Sequence, residues 1–203
     1  MTRKLVLFIV LFNISIKAMS QIAFMAGPNY CFVRSHDLLQ NQNPVFAYHT
    51  GFSLKLYPFK KAPAYAIQTE IMIDQKGYQQ KLDINYLFHF NYNTWNVLFN
   101  YDRTKNLSVN AGLAFSWLRY TSMQDGMSTY NHNDIGLVLG ICCLESHRVN
   151  VYARAVYGLA PMLDYYKIDK LGNFTGQIHD LKNMCFSAGI KINLRNEKLH
   201  LYK

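Results

Sequence analysis

"VNVYARAVYGLAP", residues 149–161, places a single arginine within an apolar segment that alternates like a β-strand. Val149 and Val151 share one parity, whereas Asn150 and Arg154 share the other. Successive side chains of a strand point to opposite faces, so one face here is apolar and the other carries the charge. The direction of the apolar face decides between a soluble β-protein and a β-protein that lies in a membrane.

The first twenty residues have the pattern of a secretory signal peptide. Arg3 and Lys4 form a basic start, residues 5–16 are mostly apolar, and "AMS" (18–20) supplies small residues before a cleavage site. We therefore expect residues 1–20 to be removed by cleavage after Ser20. An uncleaved membrane anchor is the alternative, although the apolar segment is short for that role.

Charge and hydropathy exclude two classes of protein. The formal net charge of +9 falls to +6 when Arg3, Lys4 and Lys17 leave with the signal peptide, and the remaining charges are scattered. A basic stripe of the kind that binds nucleic acid is missing from the sequence, so we expect no nucleic-acid partner. After the signal peptide, the longest uncharged apolar stretch is "GLVLGICCL" (136–144), too short for a membrane helix but long enough for a spanning strand of about 9–11 residues.

Alternating segments separated by turn-rich breaks predict eight strands. The breaks at 58–63, 102–106 and 145–147 are short, whereas four others are longer. If the N-terminus lies at the end with short turns, all longer loops lie at the opposite end, as in even-stranded outer-membrane barrels. The predicted strands are 21–33, 45–58, 64–76, 86–101, 106–120, 133–144, 147–160 and 183–194, and the longer breaks are 34–44, 77–84, 121–133 and 163–180.

The glycines indicate which face of the strands points inward. A soluble barrel would expose the polar face to water, where a glycine only weakens a strand. Inside a narrow barrel, small residues leave room for large polar neighbours. We therefore predict a polar interior and a lipid-facing apolar exterior, with a lipocalin-like soluble barrel as the alternative. The seven glycines assigned to strands all share the polar face: Gly27, Gly51, Gly112, Gly136, Gly140, Gly158 and Gly189.

Six segments of the mature chain form an ordered series of strand motifs. They are "MAGPNYC" (25–31), "IQTEIMIDQKGY" (67–78), "NYNTWNVLFNYDRTKNLSVNAGLAFSWL" (91–118), "DIGLVLGI" (134–141), "YARAVYGLAPM" (152–162) and "FSAGIKINL" (186–194). Together they resemble the PorT-like outer-membrane β-barrel family, which is typical of Bacteroidetes. The resemblance implies an eight-stranded antiparallel up-and-down transmembrane barrel over residues 21–194, followed by a C-terminal tail at 195–203. One branch of that family is linked to protein secretion.

Charged residues on the polar face predict a network inside the barrel. Glu70 and Arg154 are the best candidates for an ion pair, with Lys55, Asp134 and Lys191 as further members. Eight strands enclose an interior only wide enough for side chains, so we expect this network to fill the barrel. A conducting or solute-binding interior is the alternative.

Cys31 and Cys185 are predicted to be neighbours. Antiparallel pairing of the first and last strands, with Gln21 opposite about residue 195, brings the two cysteines opposite one another, with both side chains inward. Exported proteins can form disulfides, so the pair is either bonded or packed as two free thiols. Cys142 and Cys143 belong to the sixth predicted strand and point to opposite faces.

No catalytic, cofactor or metal site is predicted. The histidines are scattered and match no zinc spacing. Ser128 and His132 can be paired as a hydrolase or acyltransferase site, but their spacing carries no specificity, and a polar extracellular loop is the favoured interpretation.

We expect a non-enzymatic outer-membrane barrel with a structural or interaction role, its N-terminus in the periplasm after cleavage. An accessory function in protein secretion is the more specific form of this expectation. The expected partners are outer-membrane lipid, the outer-membrane assembly machinery, and secretion or other envelope proteins. The alternatives are a narrow channel or small-solute-binding barrel and, less favoured, a lipid-modifying enzyme.

Overall fold

The computed structural model describes residues 20–35, 42–58, 62, 64–81, 85–122, 130–168 and 174–196. Among these residues, no helix has the length and apolar character needed to cross a membrane. The strands are β1 (Ser20–Arg34), β2 (Gln42–Asn43), β3 (Val45–Leu56), β4 (Tyr65–Lys81), β5 (Asn85–Asp102), β6 (Leu107–Thr121), β7 (Asn133–Cys143), β8 (Val149–Gly158), β9 (Leu163–Ile168), β10 (Phe174–Asp180) and β11 (Lys182–Asn196).

Eight of these strands form a closed antiparallel ring. β1 pairs with β3, and the pairing continues through β4, β5, β6, β7, β8 and β11, which pairs again with β1. The short strand β2 pairs with β4, and β9 with β10 forms a separate hairpin between β8 and β11. The predicted eight-stranded antiparallel barrel is therefore confirmed, and every predicted strand corresponds to one strand of the ring.

The distribution of polar and apolar side chains is inverted relative to a soluble barrel. Asn29, Glu70 and Asn100 are buried inside the ring, each with no more than 1% of its surface exposed. On the outside, Phe46 is 77% exposed and Ile71 is 69% exposed. Alternation along the strands therefore carries polar residues inward and apolar residues outward, in the orientation that the glycines predict.

Two of the interior glycines are required by close backbone approach. A Cβ atom at Gly27 would lie 1.9 Å from the carbonyl oxygen of Ala188, and one at Gly112 would lie 2.0 Å from that of Val97. Any larger residue would therefore push neighbouring strands apart. Gly77 lies within β4, although the sequence predicts a loop at 77–84.

The connections differ in length at the two ends of the barrel. The end at which β1 begins, here the turn end, has the short β3–β4, β5–β6 and β7–β8 connections. The opposite end, here the loop end, has the β1–β3, β6–β7 and β8–β11 connections, but also the β4–β5 connection, which is residues 82–84 only. The prediction of a long loop at 77–84 is wrong because β4 and β5 stay paired from Gly77↔His89 to Lys81↔Asn85. The predicted loop at 163–180 likewise contains the β9–β10 hairpin.

A cluster of apolar side chains fills the interior at the loop end, here the apolar cap. The rings of Tyr78 and Phe88 stack with centroids 4.7 Å apart, and Tyr130 packs edge-on against Phe90 at 4.9 Å. Residues from the connection between β8 and β11 complete it, so the loop end is closed by packed side chains. The buried members are Val33, Tyr78, Phe88, Phe90, Tyr92, Leu118, Met162 and Leu181.

The first and last strands can be compared with the predicted limits of the signal peptide and the C-terminal tail. β1 begins at Ser20, whereas residues 1–19 of the predicted signal peptide lie outside the described residues. β11 continues to Asn196, so the first two residues of the predicted tail, 195 and 196, belong to the last strand of the ring. Residues 197–203 lie outside the described residues.

Candidate functional site

The middle of the interior contains an ion-pair group around Glu70, here the central cluster. Arg154 from β8 donates two hydrogen bonds to the Glu70 carboxylate, at 2.6 and 2.9 Å, and Lys191 from β11 lies 3.3 Å from the same carboxylate. Asn96 and Gln68 donate further hydrogen bonds, at 2.8 and 2.5 Å. Charge-assisted, bidentate contacts of this kind are strong and geometrically specific. They compensate a carboxylate that is almost fully removed from solvent.

A second group, the loop-end cluster, lies between the central cluster and the apolar cap. Lys76 of β4 contacts Asp134 of β7 at 3.0 Å and Asp74 of its own strand at 3.9 Å. Its ammonium group also lies 4.9 Å from the centre of the Tyr92 ring, which belongs to the cap. Asn183 donates a hydrogen bond of 2.9 Å to Asp134. The cluster therefore ties strands on opposite sides of the ring together.

A chain of hydrogen bonds that ends in a cation–π contact connects these two clusters. Asn29 donates to Asp74 at 2.7 Å and its oxygen lies 2.7 Å from Nδ1 of His49. Nε2 of His49 is hydrogen-bonded to the hydroxyl group of Tyr152. The Tyr152 ring in turn lies against Arg154, with the guanidinium carbon 4.9 Å from the ring centre. The polar side chains thus form one continuous network through this part of the interior.

The turn end has its own group, the turn-end cluster. Lys55 of β3 contacts Asp102 at 2.7 Å and Glu145 at 2.8 Å. Tyr57 donates a hydrogen bond to Asp102 at 3.2 Å, and Ser108 donates one to Glu145 at 2.7 Å. Lys55 therefore joins carboxylates from β5 and from the β7–β8 connection.

The five predicted network residues are all buried inside the ring, but they do not form one group. Glu70, Arg154 and Lys191 are together in the central cluster. Lys55 and Asp134 belong instead to the turn-end and loop-end clusters, because they lie near opposite ends of their strands. Alternation assigns a residue to a face, but its height in the barrel depends on the register between strands.

Several partners were missed by sequence reasoning for a physical reason. Asp102 and Glu145 occur in segments that read as short turns, yet both are buried, at 3% exposure each. Asp102 is the last residue of β5, and Glu145 folds inward from the β7–β8 connection. The parity of Lys76, which matches that of Glu70, is the one signal that could have placed it in the interior.

Two small cavities lie beside the ion-pair clusters of the described interior. A cavity of about 10 Å³ lies beside His49, Asp74, Arg154 and Cys185, among other residues. Another of about 10 Å³ lies nearer the turn end, between Lys55 and Lys191. Each volume is close to the minimum for a single water molecule.

Cys31 and Cys185 lie directly opposite one another in β1 and β11 and are joined by a disulfide, with Cα atoms 4.1 Å apart. The structure therefore has the bonded form of the two alternatives that the sequence leaves open. Cys142 is buried and Cys143 is exposed, and both are free.

The described residues contain no group of three or more His, Cys, Asp or Glu side chains that could hold a metal ion. His132 is exposed next to β7, and Ser128 lies outside the described residues. The structure thus gives no geometry for the hydrolase pair considered in the sequence.

Comparison with known proteins yields structural neighbours but no sequence relatives. No family model and no curated protein matches the chain. The chain is similar to the crystal structure of Neisserial surface protein A (NspA), with 12% identity over 85% of this chain and 97% of that chain and a TM-score of 0.52. It is also similar to Ail, the attachment invasion locus protein of Yersinia pestis, with 10% identity over 86% of this chain and 99% of that chain and a TM-score of 0.49. A further neighbour is the outer membrane protein OprG of Pseudomonas aeruginosa, with 8% identity over 87% of this chain and 94% of that chain and a TM-score of 0.45.

The closed ring and the likeness to NspA define the class of fold. The chain has the eight-stranded antiparallel architecture of the small outer-membrane β-barrel proteins.

Proposed function

We propose that this protein is a small outer-membrane β-barrel with a structural or interaction role and a closed, non-conducting interior. The observation that carries the proposal is the inverted barrel itself, with ion-paired side chains filling the inside and apolar side chains covering the outside. The proposal assigns the barrel no catalytic role.

The exterior supports a position in a lipid bilayer. Phe52, Leu137 and Ile190 are each about half exposed and lie on three different strands, so the apolar surface extends around the ring. The ring strands have 10–18 residues, so each reaches or exceeds the roughly 9–11 that a spanning strand needs. A closed ring also satisfies its backbone hydrogen bonds internally, which hydrocarbon demands.

The difference between the two ends supports an orientation. Short turns of outer-membrane barrels are periplasmic and longer connections are external. In the proposed orientation, the turn end and the start of β1 therefore face the periplasm, and the β9–β10 hairpin lies outside the cell. The apolar exterior would contact outer-membrane lipid, and the chain would reach the membrane through the outer-membrane assembly machinery.

The interior favours a closed barrel over the channel or solute-binding alternative. The central cluster crosses the interior from β4 to β8 and β11, and the apolar cap covers the loop end. An ion moving along the axis would have to displace buried ion pairs, each of which is costly to break. The cavities beside the clusters have room for about one water molecule each.

Planar-bilayer recording tests the closed interior. We expect purified protein reconstituted at neutral pH to give no discrete conductance steps, whereas a general porin in the same bilayer gives them. Stable, stepwise currents from the wild-type protein would contradict the proposal and favour the narrow channel.

The more specific part of the proposal is an accessory role in protein secretion, with secretion or other envelope proteins as partners. It is supported by the resemblance of the strand motifs to the PorT-like family. Crosslinking in native outer membrane, followed by affinity purification of a tagged chain and mass spectrometry, would test it. Enrichment of secretion components is the expected result, and recovery of lipid and assembly factors alone would count against it.

A further inference from the structure

The pairing of β1 with β11, here the seam, joins the two ends of the barrel sequence. Its ladder has a register shift between Ile22 and Ala23. Pro28, in the middle of β1, has no amide hydrogen to donate to the ladder. Hydrogen bonding along the seam is therefore interrupted at two positions.

The disulfide lies on this seam. Cys31 and Cys185 are directly opposite one another, three residues from Pro28 toward the loop end, and they connect positions 154 residues apart in sequence. The bond therefore links the first and last strands of the ring beyond the proline.

The folded barrel encloses the sulfur atoms. Cys31 is 1% exposed and Cys185 is 3% exposed. Toward the loop end, the next inward residue of β1 is Val33, a member of the apolar cap. Toward the turn end lie Arg154 and the rest of the central cluster, and the cavity that adjoins Cys185 has room for about one water molecule. A thiol or disulfide reagent is far larger than that space.

We propose that the Cys31–Cys185 bond forms before the apolar cap closes over it, when β1 and β11 are already paired, and that it then holds the seam closed. The proposal rests on the proposed function, because export exposes the chain to oxidising conditions. The reactants are the two thiols and an external disulfide, either of a protein or of a small molecule. Before the apolar cap closes, the seam is open to the oxidant, which can then reach sulfur atoms that are buried in the folded barrel.

The chemistry is two successive thiol–disulfide exchanges. In one order, the Cys31 thiolate attacks the external disulfide, forms a mixed disulfide and releases one thiolate. The Cys185 thiolate then attacks the Cys31 sulfur, which forms the intramolecular bond and releases the second thiolate. Cys31 and Cys185 lose two electrons to the oxidant, and their two protons pass to water or to the released thiolates.

The test uses the Cys142→Ser/Cys143→Ser chain, in which the seam cysteines are the only thiols. The chain is refolded into detergent micelles under reducing conditions, the reductant is removed, and oxidised glutathione is added to the folded barrel and to a urea-unfolded sample. Free thiols are counted over time by alkylation and mass spectrometry. We expect free thiols to be lost at least ~100-fold more slowly in the folded barrel than in the urea-unfolded sample. In the folded barrel, exposure of the sulfurs requires opening of the surrounding structure.

The reverse reaction is measured on the same chain purified in its oxidised form. A water-soluble reductant should leave the bond intact in the folded barrel and cleave it after unfolding in urea. The control for the oxidation experiment has all four cysteines replaced by serine and carries Arg103→Cys at an exposed position. Its single thiol should react with oxidised glutathione at similar rates in folded and unfolded samples.

Each outcome decides between the alternatives. If the folded, reduced barrel oxidises as fast as the unfolded chain, or if reductant cleaves the folded bond freely, the proposed order is wrong. If the reduced chain cannot fold until it is oxidised, the proposed order is supported directly. Heat-modifiable migration of the folded sample is monitored separately, and its absence in both redox states would count against the barrel proposal instead.

Discussion

Glu70 is the residue on which the electrostatics of the interior depend most. Its carboxylate faces two cations, Arg154 and Lys191, and is 1% exposed. Removing one member of a buried ion pair is costly because the other charge stays desolvated and unpaired. Loss of Glu70 leaves two cations near one another, whereas loss of Arg154 leaves Glu70 with Lys191 as a partner.

We therefore predict that Glu70→Ala lowers the free energy of unfolding by about 3–5 kcal/mol and that Arg154→Ala lowers it by less. The double variant should lose clearly less stability than the two single losses added together, since the unpaired charge is removed with its partner. Urea unfolding in detergent micelles, followed by the fluorescence of Trp95 and Trp117, measures all three variants.

The matched control combines Arg154→Ala with Asp102→Ala, whose partner Lys55 belongs to the turn-end cluster. These two losses should add to within about 0.5 kcal/mol, because the residues belong to different clusters with different ion-pair partners, Lys55 and Glu70. If Glu70→Ala and Arg154→Ala are also additive, the two side chains are not energetically coupled and the central cluster has been misassigned.

At this scale, the sequence predicts which side chains are inside and offers Glu70 with Arg154 as an ion pair, but it leaves most of the other contacts open. Parity alone puts Glu70, Arg154 and Lys191 on the polar face, and the structure brings them together. One partner of Lys55, Glu145, could not be predicted, because it lies outside any alternating segment and turns inward only through the β7–β8 connection.

At the scale of the element, β5 shows why alternation can fail within a strand that is regular in structure. In its second half, exposed and buried residues alternate from Asn93 to Asp102. In its first half, Phe88 and Phe90 point into the apolar cap while Leu87 on the other face is 52% exposed. The even positions of 86–92 are all aromatic and the odd ones include His89 and Asn91, whereas in the second half of the strand the even positions are mostly polar. The polar and apolar faces are therefore exchanged at the loop end, and the rule that polar residues point inward fails there.

Two phenylalanines, one in the apolar cap and one on the exterior, should differ in how much their loss destabilises the barrel. Phe90→Ala should lower the free energy of unfolding by about 3–5 kcal/mol, because Phe90 is 1% exposed and its loss leaves a cavity. Phe52→Ala on the exterior should cost only about 1.5–3 kcal/mol, since lipid or detergent chains fill the space and only the transfer of the ring is lost. Urea unfolding of both variants in the same micelles gives the comparison.

Phe52→Leu provides the conservative exterior control and should change stability least. Equal losses for Phe90→Ala and Phe52→Ala would mean that the cap is loosely packed or that it rearranges around the deletion.

At the scale of the whole molecule, the barrel is held by a closed ladder and by side chains that connect opposite walls. A ring without free edges unfolds only when a pair of neighbouring strands separates. Detergent that coats the apolar exterior leaves the interior ion pairs untouched. The folded state should therefore survive conditions that unfold most soluble proteins.

We predict that purified mature protein needs detergent to remain in solution and migrates differently on SDS gels before and after boiling. Both samples contain reductant, so that the difference reports the barrel rather than the Cys31–Cys185 bond. A mature chain that is monomeric and soluble without detergent would instead show that the apolar face is covered in some other way.

The architecture of the whole molecule could be predicted better than its details. The strand count, the antiparallel closure and the inward polar face all follow from alternation, from the glycines and from the spacing of turns. The pairing of β4 with β5 beyond Gly77 and the β9–β10 hairpin could not be predicted, because their residues alternate weakly and contain turn-forming glycines.

The inverted barrel also limits how its sequence can change over evolution. Fluid hydrocarbon adapts to any apolar shape, so exterior positions such as Ile71 and Leu139 can exchange one apolar residue for another at little cost. Interior positions such as Glu70 and Gly27 are each matched to particular neighbours. Substitution tolerance should therefore rise and fall with a period of two along every strand. A barrel built in this way can exchange residues at about half of its strand positions while its interior network stays in place.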